Sequence, residues 1–138
     1  MSIVYLAASS KELPRARRAM DWITEAKHTV ALDWVQQILA MGGKDPNRGI
    51  PPNIARTIAL NAFSHLRRSN VIWLLSPETE TEGAWIEFGA YAFHVSTLIG
   101  PKLIMSGGDP ETSVFLNGLL THHFVDDEAA IRWLETQR

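Results

Sequence analysis

A regular alternation of short apolar runs with longer amphipathic stretches restricts the fold of this chain more than any other feature of its sequence. The run from Asn70 to Leu75 is almost continuously apolar, as expected for a strand buried on both faces. The other strand-like runs are Ser2 to Ala7, His28 to Asp33, Lys102 to Met105 and His122 to Val125. Between them, apolar residues three and four positions apart predict helices. These helical stretches are Lys11 to Lys27, Val35 to Met41, Asn53 to Arg68, Gly83 to Thr97, Glu111 to Leu119 and Asp126 to Gln137.

Alternating strands and helices of this kind predict a parallel sheet with helices packed on both faces. We therefore expect an α/β fold, a single-domain doubly wound sheet of five parallel strands with the flavodoxin-like strand order. The 138 residues suffice for one domain spanning 1–138, and 46% of them are hydrophobic. In such folds ligands bind beyond the carboxyl ends of the strands, beside the first strand. The segments expected to meet there are Tyr5 to Lys11, Asp33 to Trp34 and Ser76 to Glu87.

The composition excludes several classes of function. The net charge is −2, so the chain lacks the basic surface that holds a nucleic-acid backbone or an anionic membrane. Cysteine is absent, which excludes disulfides, thiolate metal sites and cysteine nucleophiles. No apolar run approaches the roughly 18 residues of a membrane-spanning helix, and Met1 to Tyr5 shows no signal-peptide pattern. We expect a soluble, cytoplasmic protein that acts on a small molecule.

Neither a metal ion nor an organic cofactor is predicted. The five histidines never stand four residues apart on one helix, the spacing that lets two of them share a metal ion. No glycine-rich loop follows the first strand, which argues against a dinucleotide fingerprint or a P-loop. That position reads Ala8-Ser9-Ser10, and Ser76-Pro77 follows the third strand, so the acidic residues of a phosphate-accepting receiver domain are missing.

Glu87 is the residue that fits a purely structural role least well. It lies in a helical stretch, Gly83 to Phe93, whose members are almost all apolar or small. Burial of an unpaired carboxylate is costly or raises its pKa, so such a group is either paired or functional. The structural interpretation is a helix cap or an ion pair with Arg56 or Arg15. The functional interpretation is a catalytic carboxylate near the helix N-terminus, with Gly89 allowing close approach of backbone or ligand.

Several groups of residues together resemble one enzyme family. They are Tyr5-Leu6-Ala7-Ala8-Ser9, Asp33-Trp34, Ser69-Asn70-Val71 and Gly83-Ala84-x-x-Glu87-x-Gly89-x-x-Ala92. This pattern, spread over about the first hundred residues, is similar to that of the nucleoside 2-deoxyribosyltransferase family and the related deoxynucleoside 5′-monophosphate N-glycosidases. The resemblance implies the doubly wound fold expected above, together with cleavage or transfer at an N-glycosidic bond of a nucleoside or nucleotide.

The resemblance also implies roles for individual residues. Glu87 matches the nucleophile that attacks the anomeric carbon and forms a glycosyl-enzyme intermediate, and Tyr5 matches the tyrosine that orients it. Asp33 is a candidate for protonating the departing base, with a helix N-cap as the structural alternative. Trp34 is a candidate for stacking on that base. The candidate substrate-binding residues are Ala8, Ser9, Ser10, Trp34, Asn61, Thr81 and Gly83.

Two departures from the family pattern bear on the substrate. Asn61 stands where family members usually carry an aspartate, and an amide binds a sugar hydroxyl but cannot act as a general base. Thr81 occupies the position of a phosphate-binding serine, yet Glu78, Glu80 and Glu82 alternate along the same loop and would repel a phosphate. The groups that could offset this repulsion are Ser9, Ser10, Lys11 and Arg15. We therefore favour a neutral nucleoside as the substrate.

Two other functions stay open at this point. The Trp85-Ile86-Glu87 segment also resembles the glutamate segment of Toll/interleukin-receptor-type NAD glycohydrolases, which would release nicotinamide. The amide of Asn61 also fits a nucleotide-binding module that kept the fold and lost the chemistry.

The apolar helical stretch further predicts self-association. Its large residues, Trp85, Phe88, Tyr91, Phe93 and Val95, offer more apolar surface than one face of a sheet can cover. We expect a homodimer or a higher homo-oligomer in which a neighbour helps to close the site. The alternative is that helices of the same chain bury this surface.

Overall fold

A computed structural model of the chain describes residues 1–42, 49–78, 83–95 and 102–137. The strands in these ranges are β1 (Ile3–Ala7), β2 (Thr29–Val30), β3 (Val71–Leu75), β4 (Lys102–Ser106) and β5 (His122–Phe124). The helices are α1 (Leu13–Glu25), α2 (Trp34–Ala40), α3 (Pro52–Arg68), α4 (Gly83–Val95), α5 (Val114–Leu119) and α6 (Asp127–Glu135), with a 3-10 turn at Pro110–Thr112. Strand and helix alternate as the sequence predicts.

All five strands are parallel and lie in the order β2-β1-β3-β4-β5. This confirms the predicted doubly wound fold with flavodoxin-like strand order. The chain reverses its direction of winding between β1 and β3, where Tyr5 pairs with Ile72 and Ala7 with Leu74. The carboxyl ends of these two neighbouring strands therefore form one edge, and this is the edge at which the fold accommodates ligands.

The sheet separates two apolar cores, because successive side chains of a strand point to opposite faces. Val4 and Leu6 point to the face covered by α1 and α6, where they join Met20 and Leu134. Tyr5 and the residues that share its face lie in the second core, which α3, α4 and α5 cover. Its members include Ala7, Leu66, Leu74, Phe88 and Tyr91. Neighbouring positions of β1 thus belong to two different cores.

Several helix starts follow their local sequence. Pro14 lies in the first turn of α1, where its missing amide proton is not needed. The side chain of Asp126, where the sequence predicts the helix to begin, accepts a hydrogen bond from the amide of Ala129 and caps α6. Asp33 caps α2 in the same way, through the amide of Gln36.

Three elements differ from the sequence prediction. α5 begins at Val114 rather than at Glu111, because Pro110–Thr112 forms a 3-10 turn and Ser113 caps the helix. β2 contains only Thr29–Val30 and does not extend to Asp33, because Asp33 is used as the cap of α2. In α3 the predicted apolar stripe is buried only at its end, at Leu66. Ile54 and Ile58 on the same stripe are 49% and 44% exposed, since no described element of this chain covers the first half of α3.

Other expectations fall on residues outside the described ranges. The stretch between the predicted helices that end at Met41 and begin at Asn53 lies partly in 43–48. Thr97, the predicted end of the helix that begins at Gly83, lies in 96–101. Among the residues that are described, no helix has the length and apolar character needed to cross a membrane.

Candidate active site

The candidate active site is built around a hydrogen bond between β1 and α4. Tyr5 is the central residue of β1 and is almost completely buried on the α4 side of the sheet. Its hydroxyl donates to Oε1 of Glu87 at 2.9 Å, which joins residues 82 positions apart in the chain. Glu87 lies little more than one turn after the start of α4 at Gly83. The pair therefore sits just inside the edge formed by the carboxyl ends of β1 and β3.

The packing of α4 explains why Glu87 faces the sheet. Ala84, Phe88 and Tyr91 recur at four- and three-residue spacing and are buried against the second core. Glu87 lies beside this buried stripe and is itself only partly exposed. Gly89 points away from it, and a Cβ added at Gly89 would meet no atom within 4 Å. No described backbone therefore approaches Gly89 closely, and the close approach of a ligand stays a prediction.

The environment of Glu87 places the pKa of its carboxyl group near neutral pH. Burial raises the pKa of Glu87 to about 7, and the hydrogen bond from Tyr5 lowers it but only in part. No described residue forms an ion pair with Glu87. The predicted structural partner Arg15 is bound to Asp127 and Glu12 instead, and Arg56 is exposed on α3. The carboxyl group is thus buried, hydrogen-bonded and without a described cationic partner.

Tyr5 acts on Glu87 as a fixed donor. Its burial, followed by the nearby charge of Glu87 and the hydrogen bond between them, raises the pKa of Tyr5 far above its usual range. The hydroxyl is therefore protonated near neutral pH and acts as a hydrogen-bond donor. It bonds to Oε1, and no described residue hydrogen-bonds the other carboxylate oxygen of Glu87.

The structure does not bring Asp33 into this pair. Burial alone would raise the pKa of Asp33, but the hydrogen bonds from Arg17 and from the amide of Gln36 lower it below the usual value. A carboxylate held ionised by a cation is a poor proton donor. The structural alternative given from the sequence, an N-cap of α2, is what the geometry shows.

Trp34 lies near the edge, with its ring on the opposite side of the sheet from Tyr5. Its indole Nε1 donates to the carbonyl of Leu6 at 2.9 Å, and the ring packs against the core beneath α1. In this position the ring holds α2 against β1. The hydrogen bonds among described residues do not connect it to Glu87.

The residues Ala8, Ser9 and Ser10 follow β1 directly and lie at the predicted edge. Ser9 is buried, and its hydroxyl oxygen accepts a hydrogen bond from the amide of Lys11 at 3.2 Å. The carbonyl of Ser9 also accepts from the amide of Glu12, so the segment forms a tight turn into α1. Ala8 and Ser10 are half-buried.

The remaining predicted substrate contacts are dispersed. Asn61 is exposed in the middle of α3, and its backbone carbonyl accepts from Nδ1 of His65 at 2.8 Å. Gly83 is the first residue of α4, one turn before Glu87. Thr81 lies outside the described residues. Within the described ranges, no three side chains of the metal-binding types come close enough to hold a metal ion together.

Sequence reasoning missed a second polar cluster at the same edge. Arg15 reaches Asp127 on α6 and the carbonyl of Ser76 after β3. The spacing of Glu12 and Arg15 hints at a helical ion pair. Nothing local in the sequence indicates the contact with Asp127, which lies 112 positions away.

No family model and no curated protein sequence matches the chain, so its likeness to known proteins rests on structure alone. A 2-deoxyribosyltransferase from Bacillus psychrosaccharolyticus superimposes with a TM-score of 0.70 and 16% identity, over 93% of this chain and 89% of that one. A CMP N-glycosidase from Clostridium botulinum superimposes with a TM-score of 0.58 and 14% identity, over 98% of both chains.

The chain shares its fold with these two enzymes. The resemblance identified from the sequence is thereby confirmed at the level of the fold. At 14% and 16% identity the comparison speaks to the backbone architecture, and the chemistry must be argued from the residues of this chain.

Proposed function

We propose that the chain is an enzyme that cleaves or transfers the N-glycosidic bond of a nucleoside or nucleotide, with Glu87 as the nucleophile. The observation that carries the proposal is the buried hydrogen bond between Tyr5 and Glu87 at the ligand-binding edge of the sheet. A carboxyl group in that position, without a described cationic partner, is explained by chemistry better than by stability. The two enzymes that share the fold are named for reactions at this type of bond.

The reaction proceeds in two balanced displacements. A carboxylate oxygen of Glu87 forms a bond to the anomeric carbon while the bond from that carbon to the base nitrogen breaks. The electron pair of the broken bond leaves with the base, which takes up a proton. In the second step an acceptor base or a water molecule attacks the same carbon, releases Glu87 as a carboxylate and loses its own proton. Acceptor base gives transfer, and water gives hydrolysis.

Tyr5 supports both steps without exchanging its own proton. Its hydroxyl lowers the pKa of Glu87 from the value that burial alone would set, so more of the enzyme carries the carboxylate at neutral pH. It also holds one oxygen of the carboxylate, Oε1, at 2.9 Å. The positive charge that develops at the sugar in the transition state is then stabilised by a nearby anion whose position is fixed.

We propose a neutral nucleoside as the preferred substrate. Arg15 is one of the residues that could have offset the repulsion between a phosphate and the glutamates. Its guanidinium is already held by Asp127, Glu12 and the carbonyl of Ser76. The acidic Glu78 lies exposed at the same edge. These charges favour an uncharged 5′ end over a phosphate.

The first test measures the base released from a panel of substrates. Deoxynucleosides, ribonucleosides, their 5′-monophosphates and NAD are incubated with the protein, with and without an acceptor base, and products are separated by chromatography. Glu87→Gln keeps the size of the side chain and a hydrogen-bond acceptor for Tyr5, so it serves as the inactive control. Glu135→Gln, an exposed residue at the end of α6, controls for a change of charge.

The panel separates the proposal from its alternatives. Release or exchange of a nucleobase that requires Glu87 supports the proposal. Nicotinamide as the only product would assign the chain to NAD cleavage, the alternative that the Trp85-Ile86-Glu87 segment suggests. Binding without turnover of any substrate would instead indicate a non-catalytic nucleotide-binding module.

We also propose that the protein is a homo-oligomer, a homodimer in the simplest case. The outward face of α4 carries Trp85, Ile86, Gly89 and Ala90, all exposed and without a charged side chain among them. α3 packs beside α4 and leaves Ile54 and Ile58 exposed as well. An exposed apolar surface on two adjacent helices is the kind of patch that a two-fold dimer buries.

Light scattering at micromolar concentration tests the assembly. The wild type is expected to have twice the mass of the 15.4 kDa chain or more. Ile86→Glu places a charge on the apolar face and should yield monomers that keep the circular dichroism of the wild type. Wild-type monomers over the whole concentration range would contradict the proposal.

A further inference from the structure

A second polar network, separate from the Tyr5–Glu87 pair, is centred on Arg15 of α1. The guanidinium forms a bidentate ion pair with Asp127 of α6, with Nε at 2.8 Å from Oδ2 and Nη2 at 2.9 Å from Oδ1. Its remaining nitrogen, Nη1, donates to Oε1 of Glu12 at 3.2 Å and to the carbonyl of Ser76 at 2.6 Å. The side chains of Arg15, Glu12 and Asp127 are only 17%, 12% and 11% exposed. Arg15 is thus enclosed by its partners.

The network extends from the core of the sheet to the backbone after β3. The buried Trp73 donates from Nε1 to the hydroxyl of Ser106 at 2.8 Å, and Ser106 donates to Oδ1 of Asp127 at 2.6 Å. At the other end, Oε2 of Glu12 accepts from the amide of Glu78 at 3.2 Å. No buried side-chain nitrogen or oxygen in the described ranges lacks a partner. A fully satisfied network of this kind gives its members one defined arrangement.

The segment Ser76 to Glu78 is held from several directions. The amide of Ser76 donates to the carbonyl of Ser106 on the neighbouring strand, while its carbonyl is held by Arg15. Gly108 has φ +64°, and a Cβ there would lie 2.4 Å from the Ser76 hydroxyl oxygen. The turn after β4 therefore packs directly against Ser76 and tolerates no side chain at Gly108.

The position of this segment connects it to the proposed chemistry. It follows β3 at the edge where β1 ends, and four residues later the chain enters α4, which carries Glu87. Two of the contacts made by Arg15 and Glu12 hold backbone atoms of this edge rather than another side chain. An ion pair that served only to join α1 to α6 would need neither of them.

We propose that Arg15 is a positioning residue, which fixes the backbone of Ser76 to Glu78 as a wall of the substrate site through its carbonyl contact and through Glu12. The proposal rests on the function proposed above. Arg15 does not touch the substrate, because its three guanidinium nitrogens already donate to Asp127, Glu12 and the carbonyl of Ser76. Lysine cannot replace it fully, since a single ammonium group cannot reproduce the planar fork.

The test combines amide exchange with kinetics in three variants. Arg15→Lys keeps the charge and loses the fork, and Glu12→Gln leaves the Arg15–Asp127 fork in place but weakens the contact with the Glu78 amide. Ile23→Val is the matched control, because it removes a buried methyl group from the same helix without touching the network. Exchange of the Glu78 amide is followed by NMR, and kcat and KM are measured with the best substrate of the panel.

The expected results distinguish positioning from stability. In Arg15→Lys the Glu78 amide exchanges at least about fivefold faster, and kcat/KM falls about tenfold, with a smaller loss in Glu12→Gln. The midpoint of the pH profile stays where the wild type has it, because the Tyr5–Glu87 pair is intact. Ile23→Val lowers the melting temperature but leaves both quantities unchanged.

Two outcomes would overturn the inference. One is a Glu78 amide whose exchange does not depend on Arg15, and the other is faster exchange without any change in kcat/KM. A wild-type chain that cleaves no substrate contradicts the proposed function alone. The exchange rates then still decide whether Arg15 fixes the segment.

Discussion

The two polar clusters at the carboxyl edge of the sheet differ in how their buried carboxylates are compensated. Glu87 has a neutral donor, Tyr5, and burial raises its pKa to about 7. Asp127 has a bidentate arginine and a serine donor, and these lower its pKa despite the opposing effect of burial. Near neutral pH, Glu87 is therefore close to its pKa, whereas Asp127 is ionised.

Under the proposed function, this difference distinguishes the nucleophile Glu87 from the structural carboxylate of Asp127. A carboxylate whose charge is compensated by an arginine is stabilised in its ionised form and is therefore a weak nucleophile. A carboxylate with one neutral donor is destabilised in its ionised form and is therefore more reactive at pH values where it is ionised. Substitutions on each side of the sheet test whether the two carboxylates differ in this way.

The largest effect is expected on catalysis at Glu87. Glu87→Gln should reduce kcat by at least about a thousandfold on the substrate found in the panel, because an amide cannot form the glycosyl-enzyme intermediate. Trapping that intermediate on Glu87 by mass spectrometry checks the same point independently. Residual turnover within tenfold of the wild type would rule out Glu87 as the nucleophile.

On the other side of the sheet, the largest effect is expected on stability. Asp127→Ala leaves the buried guanidinium of Arg15 without its main partner and should lower the free energy of unfolding by about 3 to 5 kcal/mol. Glu128→Ala, next to it in α6, removes only an exposed ion pair with Arg132 and should change stability by less than about 0.5 kcal/mol. Urea denaturation of both variants measures the contrast, and equal losses would contradict the assigned role of Asp127.

Removal of the donor should make Glu87 less acidic. Tyr5→Phe takes away the hydrogen bond that lowers the pKa of Glu87, so the pH at which kcat/KM reaches half its maximum should rise above about 7. The value of kcat/KM at neutral pH should fall by about 10 to 100 times. A lower kcat/KM with the same midpoint would show that Tyr5 shapes the site without tuning the carboxyl.

The burial of Glu87 should also make the stability of the protein depend on pH. The folded pKa of Glu87, about 7, exceeds its ordinary value of 4.5, so the native state holds more protons than the unfolded state between these values. Ionisation of Glu87 therefore lowers stability as the pH rises from 4.5 to 7. Glu87→Gln should be more stable than the wild type by about 2 to 3 kcal/mol at pH 8. The difference should vanish below pH 4, as thermal melts across this range can show.

Much of the fold was predictable because its determinants are local or periodic. The apolar run at β3 and the three- and four-residue spacing in α1 and α6 correspond to elements within one or two residues of the expected bounds. Parallel pairing followed from the alternation of the elements. The cap at Asp126 was readable for the same reason, since it depends on residues three positions apart.

The site was predictable only where one residue is anomalous in its own surroundings. Glu87 stands out in an apolar helix, and its pairing with Tyr5 was expected from the family resemblance. Asp33 and Trp34 match the pattern equally well in the sequence. In the structure Asp33 caps α2 and binds Arg17, and the ring of Trp34 packs in the core beneath α1.

The order of the elements, the doubly wound sheet and the carboxylate without a local partner follow from the amino-acid sequence. Which polar groups meet depends on the folded arrangement, because Tyr5 and Glu87 lie 82 positions apart, and Arg15 and Asp127 lie 112 apart. Pairing over such distances depends on strand register and on which face of the sheet a residue occupies. Those two properties assign one carboxylate to a neutral donor and the other to an arginine.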